Sequence, residues 1–292
     1  MKTLLFIISF VITLPTVLWA QADKVISETI TYKIVDGHEL QVTMFYPANA
    51  KRKGNSPAIA FFHGGGWVFG SPSEFDGACK RYAMLGFTTF SFQYRLSINE
   101  DQTYPHPDIT LIECVKDARS AIRWMRENAA TLKIDPDKIV VGGQSAGGQL
   151  VLGTALFDTV NEDTDNLDIS PMPNAMLLYS SAYSAMEPWI DMIMKENWDE
   201  VRLMSPYHNL REGLPPAIAF HGGGDCVVLH YSVQRFEKKM HELNNPFELI
   251  TLDGRGHYLG EGNEQYSRLF DEKILERTDE FLIKYGFMKQ EK

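Results

Sequence analysis

The sequence predicts an α/β fold: a mostly parallel central sheet of about eight strands with helices on both faces. Short apolar segments alternate along the chain with longer amphipathic segments, which is the order of strand and crossover helix in a parallel sheet. Near the start, two β-rich segments are joined by Asp36-Gly37, a dipeptide typical of tight hairpin turns. The sheet should therefore begin with an antiparallel pair.

Eight segments are predicted to be strands because they are short, rich in apolar residues and mostly bounded by turn residues. In chain order they are 29–35, 40–46, 58–62, 88–94, 138–141, 175–179, 217–220 and 247–252. The predicted helices are 75–85, 109–130, 145–157, 228–243 and 264–285. The second of these helices carries apolar residues at spacings of three and four, on one face: Ile112, Val115, Ala118, Ile122 and Met125.

The composition is that of a soluble globular protein. Of 292 residues, 44% are apolar and 23% charged, and 38 acidic residues exceed 28 Lys and Arg to give a net charge of −10. Such a chain has no general electrostatic reason to bind nucleic acid or an anionic membrane surface. We expect neither partner, nor stable membrane insertion. Because α/β proteins often reach about 250 residues around one sheet, we expect one domain.

Residues 1–22 have the pattern of a cleaved secretory signal peptide. Lys2 precedes an apolar run that ends in Ala20-Gln21-Ala22, with small residues where a signal peptidase cuts. The alternative, a membrane anchor, needs about 20 uninterrupted apolar residues, but Pro15 and several polar residues interrupt this run. We therefore expect cleavage after Ala20 or Ala22, a secreted or periplasmic protein, and a catalytic domain over residues 23–292.

Cysteine contributes little to the predicted fold. Export implies an oxidising compartment, yet the chain has only Cys79, Cys114 and Cys226. At most one disulfide can form, whether any two pair stays open, and the spacing is not that of a metal site.

The segment that predicts chemistry is Gly143-Gln144-Ser145-Ala146-Gly147, where an apolar strand gives way to a helix. This G-x-S-x-G pattern in that context is typical of a nucleophile elbow, a sharp turn that exposes a serine hydroxyl. An ordinary Gly-rich turn is the alternative when the pattern stands alone. We predict Ser145 to be the nucleophile.

A second segment, His63-Gly64-Gly65-Gly66-Trp67, directly follows the strand 58–62. Consecutive glycines allow the backbone to approach a substrate and to turn its amides inward, as the oxyanion of ester hydrolysis requires. We predict that the amides of Gly65 and Gly66, with that of Ala146, form an oxyanion hole. We expect His63 to hold this loop by a hydrogen bond, since it belongs to the loop itself.

The base and the acid should follow the nucleophile in the order Ser, Asp or Glu, His. His257 lies in Gly254-Arg255-Gly256-His257, on a loop after the strand 247–252. For the acid, Asp225 follows the strand 217–220 and the turn His221-Gly222-Gly223-Gly224. Asp253 is the rival, but a residue so close to His257 on the same loop is poorly placed to reach its Nδ1. We therefore predict Asp225 and His257.

In this order, the motifs resemble the α/β-hydrolase superfamily, specifically the hormone-sensitive-lipase-like esterases and the related bacterial feruloyl and acetyl (xylan) esterases. Besides the segments above, the resemblance includes Tyr94-Arg95-Leu96, Asp117, Ile122-Arg123-Trp124-Met125-Arg126, Asp135-Pro136 and Ser205-Pro206. Gln144 departs from relatives that often carry Glu or Asp beside the nucleophile. The stretch 97–106 departs from the Ala-Pro-Glu of lipase-like relatives, which favours the sugar-ester branch.

The resemblance implies a serine carboxylesterase that hydrolyses short acyl esters. Export suggests a polysaccharide as the alcohol, so acetyl esters of plant polysaccharides such as xylan are the expected substrates. The resemblance implies no metal and no cofactor. An exopeptidase or a formamidase-like amidase on the same fold is the main alternative, and a non-catalytic binding protein is a further one.

For the substrate pocket we predict Trp67, Gln144 and Trp189. We also predict a small cap over the acyl pocket at about 181–213. Its apolar residues recur at helical spacing: Met186, Trp189, Ile190, Ile193 and Met194.

Overall fold

A single eight-stranded sheet runs through the described part of the chain. The computed structural model describes residues 25–48, 55–185, 190, 193–194, 197–260 and 271–290. The strands are β1 (Val25–Val35), β2 (His38–Pro47), β3 (Ser56–Phe62), β4 (Thr88–Phe92), β5 (Ile134–Gln144), β6 (Ala175–Tyr179), β7 (Ala217–Gly222) and β8 (Phe247–Leu252). Their order is β1-β2-β4-β3-β5-β6-β7-β8. The six strands from β4 to β8 in this order pair in parallel, which confirms the predicted fold class.

The first two strands form the predicted hairpin. β1 pairs antiparallel with β2, which in turn pairs antiparallel with β4. The turn residues Asp36 and Gly37 have φ values of 49° and 80°. Positive φ at both central residues is what a tight hairpin turn needs, and Asp-Gly supplies it at low cost.

Helices cover both faces of the sheet. They are α1 (Asp76–Met84), α2 (Leu111–Glu127), α3 (Ala129–Leu132), α4 (Ala146–Leu156), α5 (Trp198–Leu203), α6 (His230–Glu242) and α7 (Glu272–Lys284). Side chains of β3 alternate between two buried clusters, as the period of a strand requires. Ala58, Ala60 and Phe62 join the cluster under α2, α4 and α6, whereas Ile59 and Phe61 join the one under α1 and α7.

A buried ion cluster ties β1, the chain after β4 and α2 together. Asp117 of α2 is fully buried and accepts hydrogen bonds from Lys33 Nζ at 2.6 Å and from Arg95 Nε at 2.9 Å. Glu162 Oε2 lies 2.8 Å from both cations. Carboxylates and cations that leave water together must satisfy one another, so this cluster holds Arg95 in a single place.

The parallel strands bring four motifs to one edge of the sheet. β3 ends at the His-Gly-Gly-Gly segment, β5 at Ser145, β7 shortly before Asp225, and β8 shortly before His257. The carboxyl ends of parallel strands lie at the same edge. Residues that are far apart in sequence therefore meet there.

The prediction of a signal peptide stays open, because residues 1–22 lie outside the described residues. Among the residues that the structure describes, no helix is both long and apolar enough to cross a membrane.

The three cysteines are free thiols: Cys79 and Cys114 are buried, and Cys226 is exposed.

The ion cluster predicts a large loss of stability when its central charge is removed. Asp117→Asn keeps the size of the side chain but leaves Arg95 and Lys33 with less compensating charge in a buried place. We expect the free energy of unfolding in urea to fall by about 3 kcal/mol. As a control, Lys80→Ala removes the exposed pair with Asp76 and should cost less than about 0.5 kcal/mol. Equal losses in the two variants would contradict this view of the cluster.

Candidate active site

Ser145 lies on a sharp bend between β5 and α4. Its φ of 52° and ψ of −117° are strained for a residue with a Cβ. The surrounding backbone holds this conformation: the amide of Ser145 donates to Tyr179 O at 2.9 Å, and its carbonyl accepts from Ala182 N at 3.1 Å. The bend turns the hydroxyl away from the sheet and towards the loops at its carboxyl edge.

The two glycines of the motif are required by close backbone contacts. A Cβ on Gly143 would lie 2.4 Å from Gly147 O, and one on Gly147 would lie 2.1 Å from Phe62 O. Neither position has room for a side chain. The spacing G-x-S-x-G therefore follows from the tight packing of α4 against the ends of β5 and β3.

The structure brings Ser145, His257 and Asp225 into one hydrogen-bonded chain. His257 Nε2 lies 3.0 Å from Ser145 Oγ, and His257 Nδ1 lies 2.9 Å from Asp225 Oδ2. All three side chains are nearly buried. Because Nδ1 faces a carboxylate, the proton of the neutral ring lies on Nδ1, which leaves the Nε2 lone pair facing the hydroxyl.

Asp225 is held as a carboxylate by several donors. Its Oδ1 accepts from the amides of Val227 and Val228, both at 2.9 Å, and its Oδ2 accepts from His257. Burial acts to raise the pKa of this carboxyl. The hydrogen bonds from His221 and His257 outweigh burial and hold the pKa well below its ordinary value. Asp225 is therefore ionised across the neutral range.

The predicted oxyanion donors lie beside Ser145. Gly65 and Gly66 have φ values of 108° and 60° and line the same cavity as Ser145. In the described part of the chain, neither glycine amide donates to a protein acceptor. Ala146 is the first residue of α4, so its amide has no acceptor within the helix. Three amides are thus available near the hydroxyl.

His63 and Tyr94 hold the glycine loop. His63 Nδ1 donates to Gly64 O at 2.8 Å, and its ring stacks on that of Tyr94 at 4.4 Å. Tyr94 Oη donates to His63 O at 3.0 Å. Burial lowers the pKa of His63 to about 4, so the ring is neutral at pH 7. This geometry is that of a supporting residue, because the His63 side chain is bonded within its own loop.

A cavity of about 470 Å³ opens at Ser145. Its remaining wall contains Val68, Phe69, Tyr104, Gln144, Ile193, Cys226, Val227, His257 and Tyr258. Among the predicted pocket residues, Gln144 lines this cavity, with Nε2 at 3.4 Å from His257 Nε2. Ile193 of the predicted cap also lines it, whereas Met186 and Trp189 lie outside the described residues.

The prediction for Trp67 was wrong. Trp67 is fully buried and does not line the cavity. Its φ of 61° follows the glycine turn, and its indole Nε1 donates to Gln149 Oε1 at 3.3 Å in the core. Burial of so large an apolar ring stabilises the fold more than exposure at a cavity would.

Sequence reasoning missed the aromatic mouth of the cavity. Phe69, Tyr104 and Tyr258 are exposed by 51%, 46% and 37%, and the rings of Phe69 and Tyr104 meet edge to face at 5.4 Å. Tyr104 belongs to the stretch 97–106, where the sequence departs from lipase-like relatives. That departure was the sequence feature that could have drawn attention to Tyr104.

This arrangement suits nucleophilic attack on an acyl carbon. It combines a hydroxyl, a base that is oriented by a carboxylate, and amides placed to receive a developing negative charge. Among the described residues, no three His, Cys, Asp or Glu side chains group as metal ligands.

Solved structures of one esterase match almost the whole chain. The apo form of Thermogutta terrifontis esterase 2 has a TM-score of 0.81 and 34% sequence identity, over 91% of this chain and 97% of that one. Other structures of the same esterase are described as propionate-bound, butyrate-bound and phosphorylated by paraoxon.

Curated relatives match over shorter segments. An arylesterase of Saccharolobus solfataricus is 33% identical over 139 residues, which are 47% of this chain and 42% of the relative. Carboxylesterase NlhH of Mycobacterium tuberculosis is 32% identical over 113 residues, which are 38% of this chain and 32% of the relative. The matched segments span less than half the length of these relatives.

The family model for BD-FAE matches residues 43–240, more than half of the chain. This range includes the glycine loop, Ser145 and Asp225. The protein therefore belongs to the BD-FAE family and is an α/β hydrolase of the esterase type.

Proposed function

We propose that the protein is a serine carboxylesterase that acts through Ser145, His257 and Asp225. The observation that carries this proposal is the hydrogen-bonded chain from Ser145 Oγ through the His257 ring to Asp225, at 3.0 and 2.9 Å. Beside it lie the backbone amides of Gly65, Gly66 and Ala146, which donate to no acceptor in the described part of the chain. The esterases named above support the same reaction class.

In the first step, Ser145 Oγ attacks the carbonyl carbon of an ester while its proton passes to His257 Nε2. The ring then carries two protons, and the charge of Asp225 stabilises this imidazolium and keeps its orientation. The carbonyl oxygen becomes an oxyanion, which accepts hydrogen bonds from the amides of Gly65, Gly66 and Ala146. Each such donor contributes about 3 kcal/mol to stabilisation of the transition state.

The intermediate then collapses. His257 gives its Nε2 proton to the departing alcohol oxygen, which leaves an acyl group on Ser145. Water enters the same place, loses a proton to His257 Nε2 and attacks the acyl carbon. Collapse of the second intermediate returns the proton to Ser145 Oγ and releases the carboxylic acid.

We propose that the acyl group of the substrate is short. Val68 and Ile193 offer apolar contacts beside Ser145, and burial of each methylene contributes about 0.8 kcal/mol. Structures of the related esterase are described with propionate and with butyrate bound, whose acyl groups have three and four carbons. We therefore include acetyl esters among the proposed substrates.

We further propose that the alcohol is a sugar and that the protein is exported. The exposed rings of Phe69, Tyr104 and Tyr258 surround the mouth of the cavity, and aromatic faces pack well against the C–H faces of sugar rings. A polysaccharide such as acetylated xylan can reach such a mouth from outside. Export rests on the sequence pattern of residues 1–22 alone.

Replacement of the nucleophile should abolish hydrolysis. In Ser145→Ala no alkoxide forms, so we expect kcat/KM for p-nitrophenyl butyrate to fall by at least about 1000-fold. Stoichiometric labelling by paraoxon should disappear as well, with the circular dichroism spectrum unchanged. The control Ser170→Ala alters an exposed serine and should retain full activity. A Ser145→Ala variant as active as the wild type would refute the proposed nucleophile.

Acyl length should affect the rate in a defined order. We expect p-nitrophenyl acetate and butyrate to be hydrolysed at least about tenfold faster than the octanoate, as the propionate and butyrate bound to the related esterase suggest. Rates are to be compared as kcat/KM at one pH. Fastest hydrolysis of the octanoate would contradict the short-acyl proposal, and cleavage of amides or aminoacyl peptides without ester cleavage would favour the amidase or exopeptidase alternative.

Tyr104→Ala should separate sugar esters from simple esters. We expect kcat/KM for acetylated xylo-oligosaccharides to fall about tenfold, equivalent to about 1.4 kcal/mol, because a ring contact with the sugar is lost. Hydrolysis of p-nitrophenyl acetate should change by less than about twofold. Tyr231→Ala, at an exposed tyrosine that does not line this cavity, serves as the matched control. If both substrates lose activity equally, the sugar contact is refuted.

A further inference from the structure

A second buried imidazole contacts Asp225. His221 lies near the end of β7, four residues before the acid, and its side chain is fully buried. Its Nε2 is 2.8 Å from Val228 O and 3.3 Å from Asp225 Oδ2. The proposed mechanism has no step for this residue, which the sequence places only in the turn before Asp225.

The two neighbours of His221 Nε2 determine where its proton lies. A carbonyl and a carboxylate can only accept, so Nε2 must donate and the proton of the neutral ring lies there. His221 Nδ1 is buried and has no hydrogen-bond partner in the described part of the chain. One N–H group is therefore shared between Val228 O and Asp225 Oδ2.

The hydrogen bond to Val228 closes a small ring of contacts. The amides of Val227 and Val228 donate to Asp225 Oδ1, and Val228 O accepts from His221. The loop that carries the acid is thereby fastened to the end of its own strand. Val227 and Cys226, from the same loop, line the cavity at Ser145, so this fastening also places part of the cavity wall.

We infer that His221 is a positioning residue, which holds the Asp225 carboxylate towards His257 and fixes the loop that forms one wall of the cavity. The inference deepens the proposed function and rests on it. His221 does not touch the substrate in this role. It acts through Asp225, by sharing the charge of the carboxylate and limiting its rotation.

Other groups around His221 do not supply an alternative donor to Asp225 Oδ2. The ring of Tyr183 lies 6.0 Å away and that of His230 lies 5.8 Å away, between ring centroids. His230 Nε2 is bonded to Thr251 Oγ1 at 2.9 Å. Among the described contacts, Asp225 Oδ2 has only the two imidazoles as partners.

Three variants separate the hydrogen bond from the space that the ring fills. Gln places an amide donor near the position of Nε2, whereas Asn carries the same group on a shorter side chain, and Leu has no donor. The set is therefore His221→Gln, His221→Asn and His221→Leu. The matched control is His241→Leu, because His241 Nε2 also bonds a backbone carbonyl, that of Phe247 at 2.9 Å, away from the cavity.

The first measurement is the pH profile of kcat and kcat/KM with p-nitrophenyl butyrate. We expect His221→Leu and His221→Asn to lower kcat about tenfold or more, with KM within about twofold, because misplacement of a catalytic group affects the chemical step. The acid limb of kcat/KM should move to lower pH. A carboxylate that has turned away from His257 stabilises the protonated ring less, so the ring becomes available as a base at lower pH.

His221→Gln should recover most of kcat and the acid limb of the wild type, and His241→Leu should match the wild type in both. The inference is overturned if folded His221→Leu keeps the wild-type kcat and limb, or if Gln and Asn impair the enzyme equally. Where the Leu variant does not fold, the comparison of Gln with Asn still decides.

A second measurement separates this inference from the proposed function. The low-field proton NMR signal of His257 Nδ1 reports its hydrogen bond to Asp225 without any turnover. We expect this signal to shift in His221→Asn and to stay in place in His221→Gln and His241→Leu. An unshifted signal in His221→Asn refutes the positioning role, whereas equal hydrolysis by the wild type and Ser145→Ala refutes the proposed function alone.

Discussion

The strained backbone of Ser145 is the constraint on which the site depends. At a φ of 52°, a serine is less stable than in a strand or a helix, and it stays there only because its neighbours leave no alternative. The amide and carbonyl of Ser145 are bonded to the segment that contains Tyr179 and Ala182. A relaxed backbone would turn Oγ away from His257, and the hydrogen bond between Ser145 and His257 would be lost.

The glycine loop shows how distant contacts support the proposed oxyanion hole. Its backbone is held by Tyr94, which donates to His63 O. The next residue, Arg95, is anchored through both its backbone amide and its side chain to Asp117. The buried charge cluster around Asp117 therefore fixes Arg95, and the neighbouring Tyr94 in turn holds the glycine loop. Such support is needed because oxyanion donors act only when they are held in place before the charge develops.

Local sequence patterns were sufficient for the fold. The hairpin, the buried strands and the amphipathic helix α2 each follow from short-range sequence patterns. These patterns can be recognised without knowing which residues pack against them. The three residues of the hydrogen-bonded chain could also be selected, since each follows a strand and carries the expected type of side chain. Parallel strands then bring such positions to one edge.

The rest of the site depends on contacts that no local pattern encodes. Trp67 follows the glycine loop, and whether its ring enters the cavity or the core is decided by the packing around Gln149. Tyr104 and Phe69 meet only because the chain after β4 returns to the glycine loop, where Ser97 N donates to Trp67 O at 2.8 Å. In the sequence, His221 is only the residue after a predicted strand. Its contact with Asp225 arises because the loop that follows folds back towards it.

A buried carboxylate beside an imidazole faces two opposing requirements. It must stay charged to stabilise the imidazolium, yet burial penalises that charge. The loop around Asp225 resolves this conflict with two backbone amides on one oxygen and two imidazoles on the other. Because the amides come from residues two and three positions later, the loop that presents the acid also solvates it. The acid can then remain ionised without the water that would weaken its effect on His257.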